Sequence, residues 1–185
     1  MNRRLENKVA LVTGAGSGLG AATATRFAEE GAHVFLTDIN LDSVANVAST
    51  IRAAGGEATA RRQDVTDEAD WDILMQDIIA AKGRLDVLVN NAGIVITGTV
   101  ESTSLSDWRK TQAVNLEAVF MGTRAGVSVM KVNGGSIINI SSIEGIIGEA
   151  LTAAYNASKG GVRIFTKSAA LHCAKEDYNI RVNSV

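Results

Sequence analysis

A tyrosine and a lysine lie four residues apart in the segment AAYNASKGG, at positions 155 and 159. Side chains at this spacing share one face of a helix, so the phenol of Tyr155 and the ammonium group of Lys159 would be neighbours. A nearby ammonium group favours a phenolate, and a tyrosine that titrates near neutral pH can act as a general acid or base. Lowering a tyrosine pKa from ~10 to ~7 requires about 4 kcal/mol, which a solvated lysine alone does not supply. The pair therefore predicts acid–base chemistry only beside a second, bound cation in a site that excludes water.

A surface position is the competing interpretation, because tyrosine and lysine at this spacing are common on solvated helix faces. Taken alone, the pair fits that interpretation better. The neighbouring residues favour a helix that packs closely against another body, because their side chains are small. They are Ala153, Ala154, Ala157, Ser158, Gly160 and Gly161.

Hydroxyl and amide side chains that could support such chemistry occur upstream. In the segment NISS, Ser141 or Ser142 could donate a hydrogen bond to a substrate oxygen as charge develops on it. Either could instead be a turn or capping serine, and spacing alone does not choose between them. Asn115, in a predicted helix, could anchor a water or a lysine, or be satisfied by local hydrogen bonds. No G-x-S-x-G motif surrounds the serines, which argues against a hydrolase.

The elements that would position these residues alternate between strand and helix. Short apolar runs predict strands, the first at about 8–13 and the later ones in HVFLTD, EATARRQDV, LDVLVNNAG, GSIINISS and NIRVNSV. Segments with helical spacing separate them, among them long helices at about 104–130 and 153–176. This order predicts a doubly wound, Rossmann-like parallel sheet in a three-layer α/β/α sandwich, formed by one domain over residues 1–185. Ligands of such sheets bind at the carboxyl ends of the strands.

The first strand ends in a glycine cluster, TGAGSGLG, at residues 13–20. Its glycines let the backbone turn sharply and approach a pyrophosphate, which the N-terminus of the following helix attracts. The second strand ends in Asp38, whose carboxylate could accept hydrogen bonds from the ribose hydroxyls of an adenosine. Together they predict a dinucleotide site. A carboxylate there repels the 2′-phosphate of NADP, and neighbouring Ile39 and Ser17 bring no cation, so we expect NAD as the coenzyme.

Two further strand ends complete the predicted dinucleotide site. Asp64 and Val65 could contact the edge and the face of the adenine, although DVTDE also resembles a helix start with Thr66 as its N-cap. The segment NNAG ends the fourth strand, and its small residues would let the backbone pass close to a ribose or would form only a turn. The predicted coenzyme-binding residues are Gly14, Ser17, Gly18, Leu19, Gly20, Asp38, Ile39, Asp64, Val65, Asn91, Ala92, Gly93, Tyr155 and Lys159.

Composition argues against several other classes of function. The formal net charge is −2 with both signs interspersed, so we expect neither a nucleic acid nor an anionic membrane as the main partner. No stretch reaches the ~18 apolar residues that a membrane span needs. His33 and His172 stand far apart without a cysteine cluster, so we expect no metal site. Cys173 is the single cysteine and cannot form an internal disulfide, which favours a reducing, cytoplasmic location.

The motifs TGAGSGLG, NNAG, NISS and YNASK, in this order, resemble the short-chain dehydrogenase/reductase family, and the resemblance covers all 185 residues. It implies an NAD-dependent oxidoreductase that interconverts a secondary alcohol and a ketone, similar to single-domain members that act on hydroxysteroids and other secondary alcohols. By this resemblance Tyr155 is the catalytic acid/base, and Ser142 rather than Ser141 polarises the substrate oxygen. Lys159 binds the nicotinamide ribose and assists the tyrosine, and Asn115 completes a water-linked proton relay.

The resemblance also sets expectations for the rest of the protein. Family members usually continue beyond RVNSV with a substrate-covering part, so we expect the chain to lack that part. The segments 94–99 and 143–151 are mostly apolar and predict a small hydrophobic alcohol or ketone as substrate. A homotetramer is implied as well. Two alternatives are a non-catalytic dinucleotide-binding sensor or scaffold, which the joint presence of tyrosine, lysine and serine disfavours, and a nucleotide-sugar epimerase, which the glycine spacing disfavours.

Overall fold

The computed structural model describes residues 3–185 and contains a six-stranded sheet in which all neighbouring strands are parallel. The strand order is β3-β2-β1-β4-β5-β6. Because the chain crosses from one half of the sheet to the other between β3 and β4, the carboxyl ends of β1 and β4 border a crevice. The strands are β1 Val9–Thr13, β2 His33–Asp38, β3 Glu57–Arg62, β4 Val87–Asn90, β5 Gly135–Asn139 and β6 Ile180–Ser184.

Helices cover both faces of this sheet. They are α1 Gly18–Glu29, α2 Leu41–Ala53, α3 Glu68–Lys82, α4 Leu105–Gln112, α5 Ala118–Met130 and α6 Ala153–Lys175. Along β1, Val9 and Leu11 face a core shared with α3, α5 and α6, whereas Ala10 and Val12 face a core shared with α1 and α2. Alternate residues of a buried strand thus pack on opposite helix layers. The predicted three-layer Rossmann-like architecture is confirmed.

The helix predicted over 104–130 changes its winding around Asn115. α4 ends at Gln112, a π-helical turn covers Ala113–Glu117, and α5 follows directly. Single π-helical turns are rare and are frequent at functional sites. A second short element, a 3₁₀ turn at Ile143–Gly145, follows β5.

The start of α3 differs from the interpretation in which Thr66 is its N-cap. Asp67 is the N-cap, and its carboxylate accepts the N–H of Ala69 at 2.9 Å. Thr66 instead donates its hydroxyl to the carboxylate of Asp64 at 2.7 Å. The capping interpretation of Thr66 is therefore wrong, because a carboxylate two residues earlier takes its hydroxyl proton.

A buried polar network joins the carboxyl ends of β4 and β5. Asn90 donates to the side-chain oxygen of Asn139 at 2.8 Å, and Asn139 donates to the hydroxyl of Thr166 on α6 at 3.0 Å. The amide of Asn90 also lies 3.3 Å from the hydroxyl of Thr123 on α5. Gly122 leaves the space that this requires, since a Cβ there would lie 2.2 Å from Oδ1 of Asn90. The network fixes the strand ends from which NNAG and NISS continue.

Within residues 3–185, none of the helices combines the length and the apolar character needed to cross a membrane. The same residues hold no group of three or more histidine, cysteine or carboxylate side chains that could bind a metal ion. Cys173, on α6, is a buried free thiol.

Candidate active site

The glycine loop after β1 is clamped against the turn after β4. Gly14 has a φ of 62°, and a Cβ there would lie 2.8 Å from the Cα of Ala92. A Cβ on Gly20 would lie 2.3 Å from the carbonyl oxygen of Gly14. The side-chain amide of Asn91 donates to the carbonyl oxygens of Thr13, at 2.8 Å, and Gly14, at 3.1 Å. Positions 14 and 20 therefore require glycine, and the side chain of Asn91 holds the loop in place.

Two backbone N–H groups hold the carboxylate of Asp38 at the end of β2. Oδ2 accepts from Gly16 at 3.0 Å, and Oδ1 accepts from Asn40 at 3.0 Å. A Cβ on Gly16 would lie 2.9 Å from Oδ2, so this contact needs glycine. Ser17 then begins α1 as an extended N-cap whose side chain makes no capping bond within the described chain. The N–H groups of the first helical turn are therefore available to an anion next to a fixed carboxylate.

A cavity of about 520 Å³ lies at the crevice of the sheet beside these groups. This volume is in the range of small-molecule and cofactor sites. Ser17, Gly18 and Leu19 are exposed at the start of α1, outside the lining, and Gly20 is buried within the loop. The predicted coenzyme-binding residues that line the cavity are Gly14, Asp38, Ile39, Asp64, Val65, Ala92 and Gly93.

The cavity has further lining residues that sequence reasoning missed. Gln63 and Thr66 directly flank the predicted pair at 64 and 65, so their position after β3 was an available signal. The others come from α4 and from the π-helical turn, which only tertiary packing brings to the cavity. They are Lys110, Ala113 and Val114. Ile94 also lines the cavity, and it belongs to the segment 94–99 that the sequence placed near the substrate.

The turn after β3 is rigidly held. Oδ1 of Asp64 accepts both the hydroxyl of Thr66, at 2.7 Å, and its N–H, at 3.0 Å. These bonds, the hydroxyl first, lower the pKa of the Asp64 carboxyl and keep it ionised at neutral pH. The indole N–H of buried Trp71 donates to the carbonyl oxygen of Val65 at 2.9 Å. A fixed carboxylate and an apolar side chain therefore stand side by side on the cavity wall.

Tyr155 and Lys159 lie on one face of α6, as their spacing predicted. The Nζ of Lys159 is 5.5 Å from the centroid of the Tyr155 ring, and it donates to the carbonyl oxygen of Ile140 at 2.8 Å. Lys159 is only 4% exposed, and this burial lowers the pKa of its ammonium group to about 8. A Cβ on Gly93 would lie 3.6 Å from the same Nζ. The ammonium group therefore adjoins both the phenol ring and the wall of the cavity.

The two serines after β5 have different surroundings. Ser141 is buried, and its hydroxyl donates to the carbonyl oxygen of Lys159 at 3.0 Å. Ser142 is half-buried, and its Oγ accepts the N–H of Glu144 at 3.1 Å. This contact uses a lone pair of Ser142 and leaves its hydroxyl proton available to an oxygen of a ligand. Ser142 is therefore better placed than Ser141 to polarise a substrate.

The side chain of Asn115 is bonded to the segment after β4. Its Oδ1 accepts the N–H of Ile94 at 2.8 Å, and its Nδ2 donates to the carbonyl oxygen of Ile94 at 2.9 Å. Nδ2 also lies 3.2 Å from the hydroxyl of Ser158, which donates to the carbonyl oxygen of Tyr155 at 2.7 Å. Asn115 therefore makes local hydrogen bonds, which was one of the two alternatives that the sequence left open. Its role in a proton relay through a water stays a prediction.

The chain matches the family model described as short chain dehydrogenase over residues 8–185. It belongs to the short-chain dehydrogenase family. An NADP-dependent (R)-specific alcohol dehydrogenase of Lentilactobacillus kefiri is 48% identical over 189 residues, which cover 100% of this chain and 74% of that protein. A cyclopentanol dehydrogenase of Comamonas testosteroni is 45% identical over 183 residues, or 98% of this chain and 72% of that protein. The crystal structure of a short chain dehydrogenase from Mycobacterium smegmatis is similar with a TM-score of 0.93 at 33% identity, over 97% of this chain and 76% of that one.

As a short-chain dehydrogenase, the protein is an oxidoreductase that acts on CH–OH groups with a nicotinamide coenzyme. Its residues fit such a coenzyme. The glycines of the loop after β1 have no side chains, so the backbone itself lies at the edge of the cavity. The first turn of α1 has no side-chain cap, so its N–H groups could bind a pyrophosphate. The carboxylates of Asp38 and Asp64 both line that cavity and would be acceptors for the hydroxyl and amino groups of an adenosine.

Proposed function

We propose that the protein interconverts a secondary alcohol and a ketone with NAD, and that Tyr155 is its general acid/base. The observation that carries the proposal is the buried ammonium group of Lys159 between the ring of Tyr155 and Gly93 on the cavity wall. A buried cation is unfavourable for folding, and such perturbed groups concentrate where chemistry needs them. The neighbouring phenol is the group whose proton transfer this cation can assist.

In the oxidation direction, the phenolate of Tyr155 accepts the proton of the substrate hydroxyl. A bound nicotinamide supplies the hydride acceptor for this step. The ammonium group of Lys159 stabilises the phenolate, and the low polarity of the buried surroundings strengthens that attraction. In the reduction direction the phenol returns the proton to the carbonyl oxygen.

Three side chains support this proton transfer. Ser142 donates its free hydroxyl proton to the substrate oxygen, which stabilises the negative charge that develops there. Lys159 has three N–H donors and uses one on Ile140, so the others can bind the hydroxyls of the nicotinamide ribose. Asn115, which is fixed to Ile94 and Ser158, is proposed to order the water that relays the proton to solvent.

The preference for NAD is supported by the charges around the cavity. The carboxylate of Asp38 is fixed by two N–H bonds, and Asp64 adds a second negative charge to the lining. The 2′-phosphate of NADP would have to approach this carboxylate pair, while the cation of the lining, Lys110, belongs to α4 rather than to the strand ends. The Lentilactobacillus kefiri relative is named as NADP-dependent, so we propose that this chain differs from it in coenzyme choice.

The proposed substrate is a small hydrophobic secondary alcohol. Apolar side chains of the loop after Ser142 and of the segment after β4 are exposed rather than packed into a core, and exposed apolar surface suits an apolar ligand. The names of the relatives, alcohol dehydrogenase and cyclopentanol dehydrogenase, agree with such a substrate. The exposed side chains are Val95, Ile143, Ile146, Ile147 and Leu151.

We further propose a homotetramer located in the cytoplasm. Phe120 of α5 and Ile164 and Leu171 of α6 are exposed, and Phe120 packs edge-to-face on Phe165 with ring centroids 5.9 Å apart. Exposed apolar helix surface favours association between subunits. The reduced thiol of Cys173 suits a reducing compartment. Light scattering of the purified protein counts the subunits, and a monomer at micromolar concentration would contradict the tetramer.

Replacement of Tyr155 tests the proposed reaction. Tyr155→Phe keeps the ring but removes the transferable proton, so turnover of secondary alcohols should fall about 10²–10⁴-fold while NADH binding is largely kept. Tyr178→Phe is the matched control, since Tyr178 is the other tyrosine and packs on His172. Undiminished turnover in Tyr155→Phe would refute the assignment. Coenzyme binding by the wild-type protein without turnover of any alcohol or ketone would favour a sensor instead.

A further inference from the structure

The loop between β5 and α6, residues 142–152, is held at the site by polar contacts rather than by a hydrophobic core. Its large apolar side chains are all more than half exposed, so they contribute little to keeping it in place. Segments with few buried apolar contacts open easily. The polar contacts of this loop therefore decide where Ser142 stands. The exposed side chains are Ile143, Ile146, Ile147 and Leu151.

Glu144 contacts both sides of this loop. Its backbone N–H donates to the Oγ of Ser142 at 3.1 Å. Its carboxylate oxygen Oε2 accepts the hydroxyl of Thr152 at 2.5 Å, a distance typical of a strong, charge-assisted hydrogen bond. Thr152 is the N-cap of α6, three residues before Tyr155. Glu144 thus connects the serine turn with the first turn of the helix that carries the tyrosine.

Thr152 is itself anchored to the segment after β4. It forms a parallel bridge with Gly98, and the N–H of Gly98 donates to the carbonyl oxygen of Leu151 at 2.7 Å. The N–H of Ala153 donates to the carbonyl oxygen of Gly98 at 3.1 Å, and Thr152 is buried. The carboxylate of Glu144 therefore attaches an exposed loop to a fixed point.

The Thr152 hydroxyl has a second acceptor within reach. It lies 3.1 Å from Oδ1 of Asn156, whose amide donates to the carbonyl oxygen of Glu149 at 2.7 Å. A hydroxyl has one proton, and the shorter contact to a charged oxygen takes it. The link between Glu144 and Thr152 is therefore the stronger of the two.

We propose that Glu144 is a positioning residue for the dehydrogenase reaction, which through Thr152 sets the separation between the hydroxyl of Ser142 and the phenol of Tyr155. This role rests on the function proposed above, in which both hydroxyls reach the same substrate oxygen. Misplacement of a reacting group by about 1 Å can lower turnover about 10²-fold. Glu144 lies outside the lining of the dinucleotide cavity, so its loss should leave coenzyme binding unchanged.

Steady-state kinetics of four variants test this role. Glu144→Ala and Thr152→Val each remove the link, so each should lower kcat about 10- to 100-fold with the KM for the coenzyme unchanged. The double variant should lose no more than either single variant, because both remove one interaction. Glu144→Gln keeps an oxygen that accepts the Thr152 hydroxyl and should restore most of kcat.

Glu149→Ala is the matched control, because it removes the other carboxylate of the same loop. Among residues 3–185 the side chain of Glu149 accepts a single, local bond, from the N–H of Leu151 at 3.2 Å, so its loss should leave kcat nearly unchanged. A loss in Glu149→Ala equal to that in Glu144→Ala would overturn the proposal, since it would trace the effect to loop charge. Unchanged kcat in both Glu144→Ala and Thr152→Val would overturn it as well.

Amide hydrogen exchange of the coenzyme-free protein measures how readily the loop opens, and this measurement does not require turnover. We expect faster exchange over residues 142–152 in Glu144→Ala and Thr152→Val, but not in Glu144→Gln. Wild-type exchange in the first two variants contradicts the link itself, whether or not the protein turns over an alcohol. Faster exchange in a protein that oxidises no alcohol would instead refute the proposed function, and the positioning role with it.

Discussion

The buried ammonium group of Lys159 should make the stability of the coenzyme-free protein depend on pH. Burial lowers its pKa from 10.5 to about 8 in the folded protein, whereas the unfolded chain keeps the ordinary value. Below pH 8 both states are protonated, and the folded state carries the full cost of the buried charge. Between pH 8 and 10.5 the folded protein releases this proton before the unfolded chain does, so stability rises with pH through this window.

Lys159→Met removes this dependence, because methionine fills a similar volume without a charge. Relative to that variant, the free energy of unfolding of the wild-type protein should increase by about 2 to 3 kcal/mol between pH 7 and pH 10. In a domain of this size the change corresponds to roughly 4–12 °C in Tm. At pH 7 the variant should be the more stable protein, although it loses the cation that is proposed to support Tyr155.

Urea denaturation of the coenzyme-free proteins from pH 7 to pH 10 measures this difference directly. Tryptophan fluorescence can follow unfolding, since Trp71 is buried in the core. Lys167→Met, on the exposed side of the same helix, is the control, and its stability should parallel the wild type across the range. A difference between wild type and Lys159→Met that stays constant with pH would refute the reasoning.

Four further substitutions have distinct expected outcomes. Ser142→Ala should lower kcat about 10²–10³-fold. Ser141→Ala should mainly lower the free energy of unfolding, by about 1 kcal/mol. Equal losses of kcat in the two variants would contradict these different roles of the serines. Asp38→Ala should raise the kcat/KM for NADP relative to NAD by about tenfold or more, and an unchanged ratio would show that this carboxylate does not select the coenzyme. Gly122→Ala should lower the free energy of unfolding, measured by chemical denaturation, by about 1–3 kcal/mol, because the new Cβ would lie 2.2 Å from Oδ1 of Asn90. A variant as stable as the wild type would show that the core adjusts to the added methyl group.

The features that the sequence predicted correctly depend on local signals. Short apolar runs, glycine stops and alternation of elements were enough to predict the parallel sheet, the strand ends and the shared helix face of Tyr155 and Lys159. The choice between Ser141 and Ser142 could not be made from the residues alone. Both follow the same strand, and only the packing of α6 decides which hydroxyl donates to the carbonyl oxygen of Lys159.

The features that the sequence did not predict depend on contacts between distant segments. The π-helical turn is fixed by bonds between Asn115 and Ile94, and Lys110 reaches the cavity only because α4 packs beside it. The bond between Glu144 and Thr152 likewise requires a loop to fold back on the start of α6. Propensity and periodicity describe one segment at a time, so they carry no information about such contacts.

Buried polar side chains outside the cavity lining hold the two halves of the site in register. Asn90 directly precedes Asn91, whose amide clamps the glycine loop, and Asn139 lies two residues before Ser141. The bond between Asn90 and Asn139 ties the end of β4 to the end of β5, and a second bond continues to Thr166 on the helix of the tyrosine. A buried amide whose partner is lost leaves an unsatisfied group at a cost of about 1–3 kcal/mol, so these two bonds favour the observed arrangement of the strand ends. The glycine clamp after β1 and the segment that carries the serines are therefore positioned together, by the same hydrogen bonds that join β4, β5 and α6.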